Sequence, residues 1–123
     1  MDDYIGIPYK RNGRDRDGLD CYGLVYLVEK EMFGNQLPIL NNIYDGNNVS
    51  ELIAEQQPLL SGEQVLTPED GDVVLFFHQG KPIHIGVYWQ RGIIHATEHR
   101  GVIYERLNST YLKRFQKKEY YRV

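Results

Sequence analysis

Residues 20–34 read DCYGLVYLVEKEMFG, and this stretch carries the clearest helix signal in the chain. Asp20 is a good N-cap, apolar side chains follow with a helical period, and Gly34 stands where a helix commonly ends. We therefore predict a helix from Cys21 to about Phe33. Cys21 would lie in its first turn, where free backbone amides and the positive end of the helix dipole favour a thiolate.

The segments before and after this helix are predicted to have less regular secondary structure. Residues 4–18 are polar and punctuated by glycine, which predicts an irregular arm that leads into the helix. Residues 41–48 are rich in turn-forming residues. Ser50 then caps a predicted short helix that runs through about Gln57 and is closed by Pro58.

The second half of the chain has the pattern of an antiparallel sheet. A tight turn at residues 70–72 precedes an apolar run, and Gln90-Arg91 separates two β-rich runs. A helix followed by a sheet, without βαβ alternation, is an α+β pattern. The predicted elements are a buried strand 73–77, a hairpin of 83–89 with 92–97, a strand 102–107, a short helix 109–115 and a last strand 120–123.

The length and composition of the chain exclude several classes of protein. The 123 residues suit one domain, residues 1–123, and 41% hydrophobic with 25% charged residues is typical of a soluble globular protein. The net charge of −3 argues against a protein that binds nucleic acid through phosphate contacts. No apolar run is long enough to span a bilayer, and the acidic start lacks a secretory signal, so we expect synthesis in a cytoplasm without an export address.

The hairpin places two histidines together. With a two-residue loop at Gln90-Arg91, His84 pairs with Thr97 and His95 faces Gly86, so both imidazoles project from one face as diagonal neighbours, about 7–8 Å apart at Cα. The other face of the first strand is apolar and is predicted to point to the core: Ile83, Ile85, Val87 and Trp89.

Cys21 could have either a structural or a catalytic role. A lone cysteine is often a buried small hydrophobe, and a single strand histidine is often a hydrogen-bonded structural residue. A nucleophilic cysteine needs a base, and the base needs a group that orients it. Cys21 at a helix N-terminus together with His84 and His95 favours the nucleophile.

Metal binding is the competing use of the histidines. His95 and His99 have i, i+4 spacing, but in a strand four residues span about 13 Å, which is too far for one ion. A single cysteine also excludes an intramolecular disulfide and most thiolate zinc sites. We expect neither a metal nor a cofactor.

Four blocks in order, residues 20–25, 71–76, 84–88 and 94–96, resemble the NlpC family of papain-like cell-wall cysteine peptidases. The resemblance covers roughly residues 5–107. It implies a papain-like α+β fold in which an N-terminal nucleophile helix packs on an antiparallel β-sheet. Residues 27–34 and 37–38 are similar to the peptidases among tail-tip and tail-assembly proteins of long-tailed bacteriophages.

The resemblance also implies roles. Cys21 would be the nucleophile, His84 the general base and then acid, and His95 the residue that orients His84. Tyr9 would lie near the oxyanion site beside the Cys21 amide. Asp20 would have both a structural role and a role in contacting the substrate. Tyr22, a candidate substrate-binding residue, stands where many members carry serine, so that serine's contacts do not transfer.

The implied activity is hydrolysis of an amide bond in peptidoglycan stem peptides, typically between D-glutamate and a diamino acid, through an acyl-enzyme thioester. In this chain the cysteine precedes the histidine, and this order excludes the circularly permuted relatives of the NlpC family. The expected partners are the wall peptide and other phage tail-tip proteins, the expected location is the virion, and neither nucleic-acid binding nor membrane insertion is expected. Two alternatives stay open: a non-catalytic tail-tip component that keeps the fold, and a bacterial cysteine amidase for another acyl substrate.

Overall fold

The computed structural model describes residues 1–37, 62–115 and 117–123 of the chain. A short 3₁₀ helix at Asp2–Tyr4 opens the described part. No helix in these ranges combines the length and apolar character that crossing a bilayer requires. The other elements are β1 Arg14–Asp15, β2 Gly18–Leu19, α1 Cys21–Met32, β3 Glu63–Val65, β4 Val73–His78, β5 Lys81–Trp89, β6 Gly92–Thr97, β7 Gly101–Arg106, α2 Thr110–Lys113 and β8 Lys117–Arg122.

The predicted helix is confirmed as α1, to within one residue. The Asp20 carboxylate accepts a hydrogen bond from the backbone amide of Gly23, which satisfies a donor that the first turn leaves unpaired. At the other end Gly34 has φ of 69°, and the amide of Asn35 donates to the carbonyl of Glu29 at 2.9 Å. Glycine adopts this left-handed conformation without strain, so it ends the helix.

The main sheet has six antiparallel strands in the order β3-β8-β4-β5-β6-β7, and α1 packs against β5 and β6. This arrangement confirms the α+β prediction. One face of the sheet contributes Leu75, Ile85, Val87 and Ile94 to a core shared with α1. The opposite face forms a second, smaller cluster of Val74, Phe76, Ile93, Leu112 and Phe115.

The β5–β6 hairpin has the predicted two-residue loop. Trp89 pairs with Gly92, and the two loop residues Gln90 and Arg91 have φ of 46° and 63°. Positive φ at both positions gives the turn the twist that an antiparallel pair needs, although neither residue is glycine. The Gln90 amide donates to Asp70, and its carbonyl accepts from the Tyr104 hydroxyl at 2.6 Å, so local hydrogen bonds hold the strained turn.

A β-bulge corrects the predicted start of β5. Phe76 pairs with His84 and Phe77 pairs with Pro82, so Ile83 is an extra residue between two pairs. The strand therefore begins at Lys81 rather than Ile83, because pairing continues past the proline. Ile83 packs with the second cluster, so the prediction that it faces the same core as Ile85 was wrong.

The remaining differences concern short elements. The segment predicted as an irregular arm, residues 4–18, overlaps the β1–β2 hairpin and the end of the 3₁₀ helix, and β3 was not predicted. α2 lies inside the predicted helix 109–115, with the Ser109 side chain capping Leu112. The last strand begins at Lys117 rather than at residue 120. The predicted helix from Ser50 to Gln57 lies outside the described residues.

Candidate active site

Cys21 is the first residue of α1 and lines a cavity of about 460 Å³ at the end of the sheet. Its side chain is largely buried, with 6% of the residue exposed. The cavity wall also contains Tyr9 from the N-terminal arm and His84 from β5. The structure thus brings the three residues to one opening.

The Cys21 thiol is not activated in the way its helix position predicts. Burial raises its pKa to about 12, and the Asp20 carboxylate beside it adds to this rise. The Tyr22 backbone amide and the Arg14 guanidinium act in the opposite direction but are outweighed. The amides at the helix end lower the pKa of the thiol, as predicted, but burial raises it by more, so the net effect favours the protonated thiol. Cys21 holds its proton and needs a base.

His84 and His95 lie in direct contact, which confirms the prediction that they share one face of the hairpin. His84 Nε2 lies 2.7 Å from His95 Nδ1. Burial lowers the pKa of His84 well below its ordinary 6.5, and His95 lowers it further. Burial also lowers the pKa of His95, although the carboxylate of Glu105 opposes the shift. Both imidazoles are therefore neutral near pH 7.

Aromatic rings fix the orientation of the histidine pair. The ring of Phe115 stacks on His84 with an interplanar angle of 11° and a centroid distance of 6.1 Å. Phe76 contacts both imidazoles, and Tyr111 of α2 contacts His95 with centroids 5.6 Å apart. These contacts leave little freedom to rotate about the side-chain bonds, so the Nε2-to-Nδ1 hydrogen bond is held in place.

Glu105 on β7 is a site residue that the sequence reasoning missed. Its Oε1 lies 3.3 Å from His95 Nε2, and its Oε2 accepts a hydrogen bond of 2.7 Å from the Ser109 hydroxyl. The pairing of β6 with β7 could have indicated that Glu105 lies near His95. Glu105 pairs with Ile93, two residues from His95 on the same strand, so its side chain shares the face of His95.

Tyr9 is suited to donate a hydrogen bond inside the cavity. A bridge to Leu19 holds its backbone beside β2. Burial raises the pKa of its phenol to about 12, and the nearby Cys21 and Asp20 raise it further. The hydroxyl therefore keeps its proton at neutral pH, as a donor to an oxyanion must.

Asp20 and Tyr22 are buried, and neither is among the residues that line this cavity. The Asp20 carboxylate accepts from the amides of Asn12 and Gly23 and from the Arg14 guanidinium at 2.7 Å. The Tyr22 ring is 1% exposed and lies beneath the same guanidinium. Asp20 is thus a helix cap and an ion-pair partner, and the predicted substrate contacts of both residues stay predictions.

Cationic side chains occupy the outer part of the cavity. Arg100 follows the end of β6 and Arg114 follows α2, where its guanidinium lies 4.2 Å from the centre of the Tyr111 ring. Among the described residues, no three histidine, cysteine or acidic side chains lie together in a way that could hold a metal ion. The full lining is Tyr9, Cys21, Ile83, His84, Ala96, Thr97, Glu98, His99, Arg100, Tyr111 and Arg114.

The family model of the NlpC/P60 family matches residues 6–120, nearly the whole chain. The chain belongs to the NlpC/P60 family. It is 30% identical over 113 residues to the murein DD-endopeptidase MepS/murein LD-carboxypeptidase of Escherichia coli K12, which covers 91% of this chain and 54% of that protein. It is 29% identical over 117 residues to the probable endopeptidase NlpC of the same strain, covering 90% of this chain and 66% of the relative.

Solved NlpC/P60 structures share the fold. The NlpC/p60 domain of the peptidoglycan hydrolase SagA superposes with a TM-score of 0.68 at 20% identity, over 98% of this chain and 90% of that domain. A Bacillus cereus family member gives a TM-score of 0.65 at 23% identity, over 98% of this chain and 36% of the other. The chain spans about half the length of the MepS relatives that it matches.

The NlpC/P60 site combines three groups with distinct chemical capacities. Cys21 carries a protonated thiol, His84 is a neutral imidazole able to take a proton, and Tyr9 has a protonated hydroxyl able to donate one. A thiol that keeps its proton and a neutral imidazole in the same cavity suit proton transfer during attack on a carbonyl.

Proposed function

We propose that the chain is a cysteine endopeptidase that hydrolyses amide bonds in the stem peptides of peptidoglycan. The observation that carries the proposal is the cavity lined by both Cys21 and His84, with His95 in contact with the imidazole at 2.7 Å. Family membership and the names of the relatives support the choice of substrate, because MepS is named a murein endopeptidase.

The charge states of the site indicate the order of proton transfers. His84 takes the Cys21 proton as the sulfur attacks the scissile carbonyl carbon, and a tetrahedral intermediate forms. The Tyr9 hydroxyl and the Cys21 backbone amide stabilise its oxyanion. The carbon–nitrogen bond then breaks as His84 gives the proton to the leaving amine. Water attacks the thioester with His84 again as base, which releases the carboxylate product and restores the thiol.

Arg100 and Arg114 support an anionic peptide as the substrate. Both line the outer cavity, while the nucleophile lies deeper and is buried. The α-carboxylate of D-glutamate and the carboxylates of a diamino acid are groups that guanidinium binds with two parallel hydrogen bonds. The bond next to such a carboxylate is therefore the proposed target, either D-glutamyl to diamino acid or the D,D-bond in the name of MepS.

Purified peptidoglycan tests the proposal directly. Under reducing conditions the wild-type chain is expected to release new amino groups, and mass spectrometry of the soluble fragments identifies the bond that was cut. Cys21→Ala and His84→Asn are expected to lower the rate to background with the fold intact by circular dichroism. His78→Asn is the matched control, since His78 is exposed at the end of β4 and does not line the cavity. Release by Cys21→Ala, or none by the wild type, would contradict the proposal.

We propose further that the enzyme works in a bacteriophage tail, is made in the host cytoplasm and is carried in the virion beside tail-tip proteins. Support comes from residues 27–34 and 37–38, which are similar to tail-associated peptidases. The test is peptide mass spectrometry on purified virions, followed by infection assays with phage that carry Cys21→Ala. Absence from virions would overturn the location, and normal infection by the variant would indicate the non-catalytic role in assembly.

A further inference from the structure

Glu105 ends a buried line of hydrogen-bonding groups that starts at the cavity. Its side chain is 10% exposed, and its two oxygens have separate partners, His95 Nε2 at 3.3 Å and the Ser109 hydroxyl at 2.7 Å. His95 Nδ1 in turn lies 2.7 Å from His84 Nε2. The line therefore runs from Ser109 through Glu105 and His95 to His84, which lines the same cavity as Cys21.

The direction of each hydrogen bond follows from the acceptor at the end. An ionised carboxylate accepts hydrogen bonds and donates none, so His95 carries its proton on Nε2. Since His95 is neutral, its Nδ1 has a lone pair and accepts from His84 Nε2. His84 is neutral as well, so its proton resides on Nε2 and its Nδ1 is the free base.

We propose that Glu105 is a positioning residue that sets the tautomers of His95 and His84 and so keeps His84 Nδ1 unprotonated and able to take the Cys21 proton. The catalytic consequence rests on the function proposed above. Without the carboxylate, none of the contacts seen among the described residues offers His95 Nε2 an acceptor, and the His95 proton gains a partner only at Nδ1. His84 Nε2 then becomes the acceptor, its Nδ1 carries the proton, and the base is lost.

The other charged groups around His84 and His95 do not replace Glu105 as the acceptor for His95 Nε2. Arg100 lies with Nη1 3.9 Å from Glu105 Oε1 and is 64% exposed, so it faces water as much as the carboxylate. Arg114 lowers the pKa of His84 from the α2 side, and Tyr111 contributes its ring to His95. Among the charged groups that these described contacts place at the pair, Glu105 alone is an acceptor for His95 Nε2.

Glu105→Leu tests the inference, because leucine fills similar volume and accepts no hydrogen bond. The matched control is Glu119→Leu on β8. Glu119 has a comparable side-chain exposure of 12% and also accepts a 2.7 Å hydrogen bond from a hydroxyl, that of Tyr121. Glu105→Gln is the conservative variant, since its amide oxygen still accepts from His95 Nε2.

The decisive readout is the tautomer of each histidine, measured by ¹⁵N–¹H correlation spectra at pH 7.5 without substrate. The wild type and Glu119→Leu are expected to show His84 and His95 protonated at Nε2, and Glu105→Leu to show both protonated at Nδ1. Glu105→Gln is expected to keep the wild-type pattern. On peptidoglycan, Glu105→Leu is expected to lower kcat at least about tenfold with KM unchanged, because a reversed tautomer removes the base.

Two results would overturn the inference: a wild-type His84 protonated at Nδ1, or a Glu105→Leu variant that keeps the wild-type tautomers. The first requires no variant, so a failure of Glu105→Leu to fold does not prevent the test. A wild type that cleaves no peptidoglycan but shows the expected tautomers would count against the proposed function alone and support the assignment of Glu105.

Discussion

Two buried carboxylates on the α1 segment behave in opposite ways. Asp20 at the N-terminus is 1% exposed and Glu29 near the C-terminus is 0% exposed. Asp20 accepts from two backbone amides and the Arg14 guanidinium. Glu29 accepts one hydrogen bond from Asn35 at 3.0 Å, and its Oε2 has no hydrogen-bond partner among the described residues. Burial raises the pKa of Glu29 to about 7.

The difference shows that donors, rather than depth, decide whether burial of a carboxylate stabilises the fold. Several donors and a guanidinium replace the hydrogen bonds to water that a buried carboxylate loses, whereas a carboxylate with a single amide donor is costly to ionise. The first carboxylate, Asp20, lies directly before Cys21 and caps the start of its helix. The second lies at the far end of the same helix, where it serves no part of the site described above.

The largest expected effect is the loss of the Asp20 anchor. Asp20→Ala removes the buried carboxylate that pairs with Arg14, whose side chain is 14% exposed, and removes the acceptor for the Gly23 amide. We expect the free energy of unfolding to fall by about 3–5 kcal/mol, as when one member of a buried ion pair is removed. Urea denaturation of the wild type and the variant at pH 7 measures this loss of unfolding free energy.

Asp20→Asn serves as the control for this comparison. Asparagine keeps a side-chain oxygen for the cap but loses the charge opposite Arg14. Its expected loss is smaller, roughly 1–2 kcal/mol. If alanine costs less than 1 kcal/mol, Asp20 is not an anchor and the contrast with Glu29 disappears.

The second effect has the opposite sign. Glu29→Gln is expected to raise the free energy of unfolding by about 1–3 kcal/mol at pH 8, because the variant resembles the protonated acid and has no ionisation cost. The folded pKa lies above the ordinary 4.5, so the folded state binds more protons between pH 4.5 and 7. Wild-type stability from this group therefore falls as pH rises through that window.

Urea denaturation at pH 4, 6 and 8 follows this contribution. The difference between Glu29→Gln and the wild type should be near zero at pH 4 and largest at pH 8. A variant that is equally or less stable than the wild type at pH 8 would show that the Glu29 carboxylate is satisfied in the folded state after all.

Local signals explain which parts of this arrangement the sequence predicts. The ends of α1 follow from Asp20 and Gly34, whose effects act within one turn of the helix. The contact of His84 with His95 follows from strand parity once a two-residue turn sets the register. Both inferences need only neighbours in the chain.

Other features were not predicted, because they depend on strand register or on burial that was not inferred from the sequence. The bulge at Ile83 arises because β5 keeps pairing with β4 past Pro82. The contact of Glu105 with His95 needs the register of β6 against β7, and the raised pKa of Cys21 needs the burial that the whole fold provides. Charge state in particular cannot be inferred from helix position alone, because desolvation depends on every element packed around the group.

The smallest expected effect is the pH dependence of the histidine pair, which Glu29 masks in the wild type. Burial lowers the pKa of both His84 and His95 below 6.5, so the unfolded state binds more protons and this stability, fully present above pH 6.5, is lost as pH falls. In the Glu29→Gln variant, where the opposing slope is gone, we expect a loss of about 1 kcal/mol between pH 6.5 and 5.5. A flat profile in Glu29→Gln would mean that the imidazoles accept protons in the folded state, and His84 would then be charged rather than a free base.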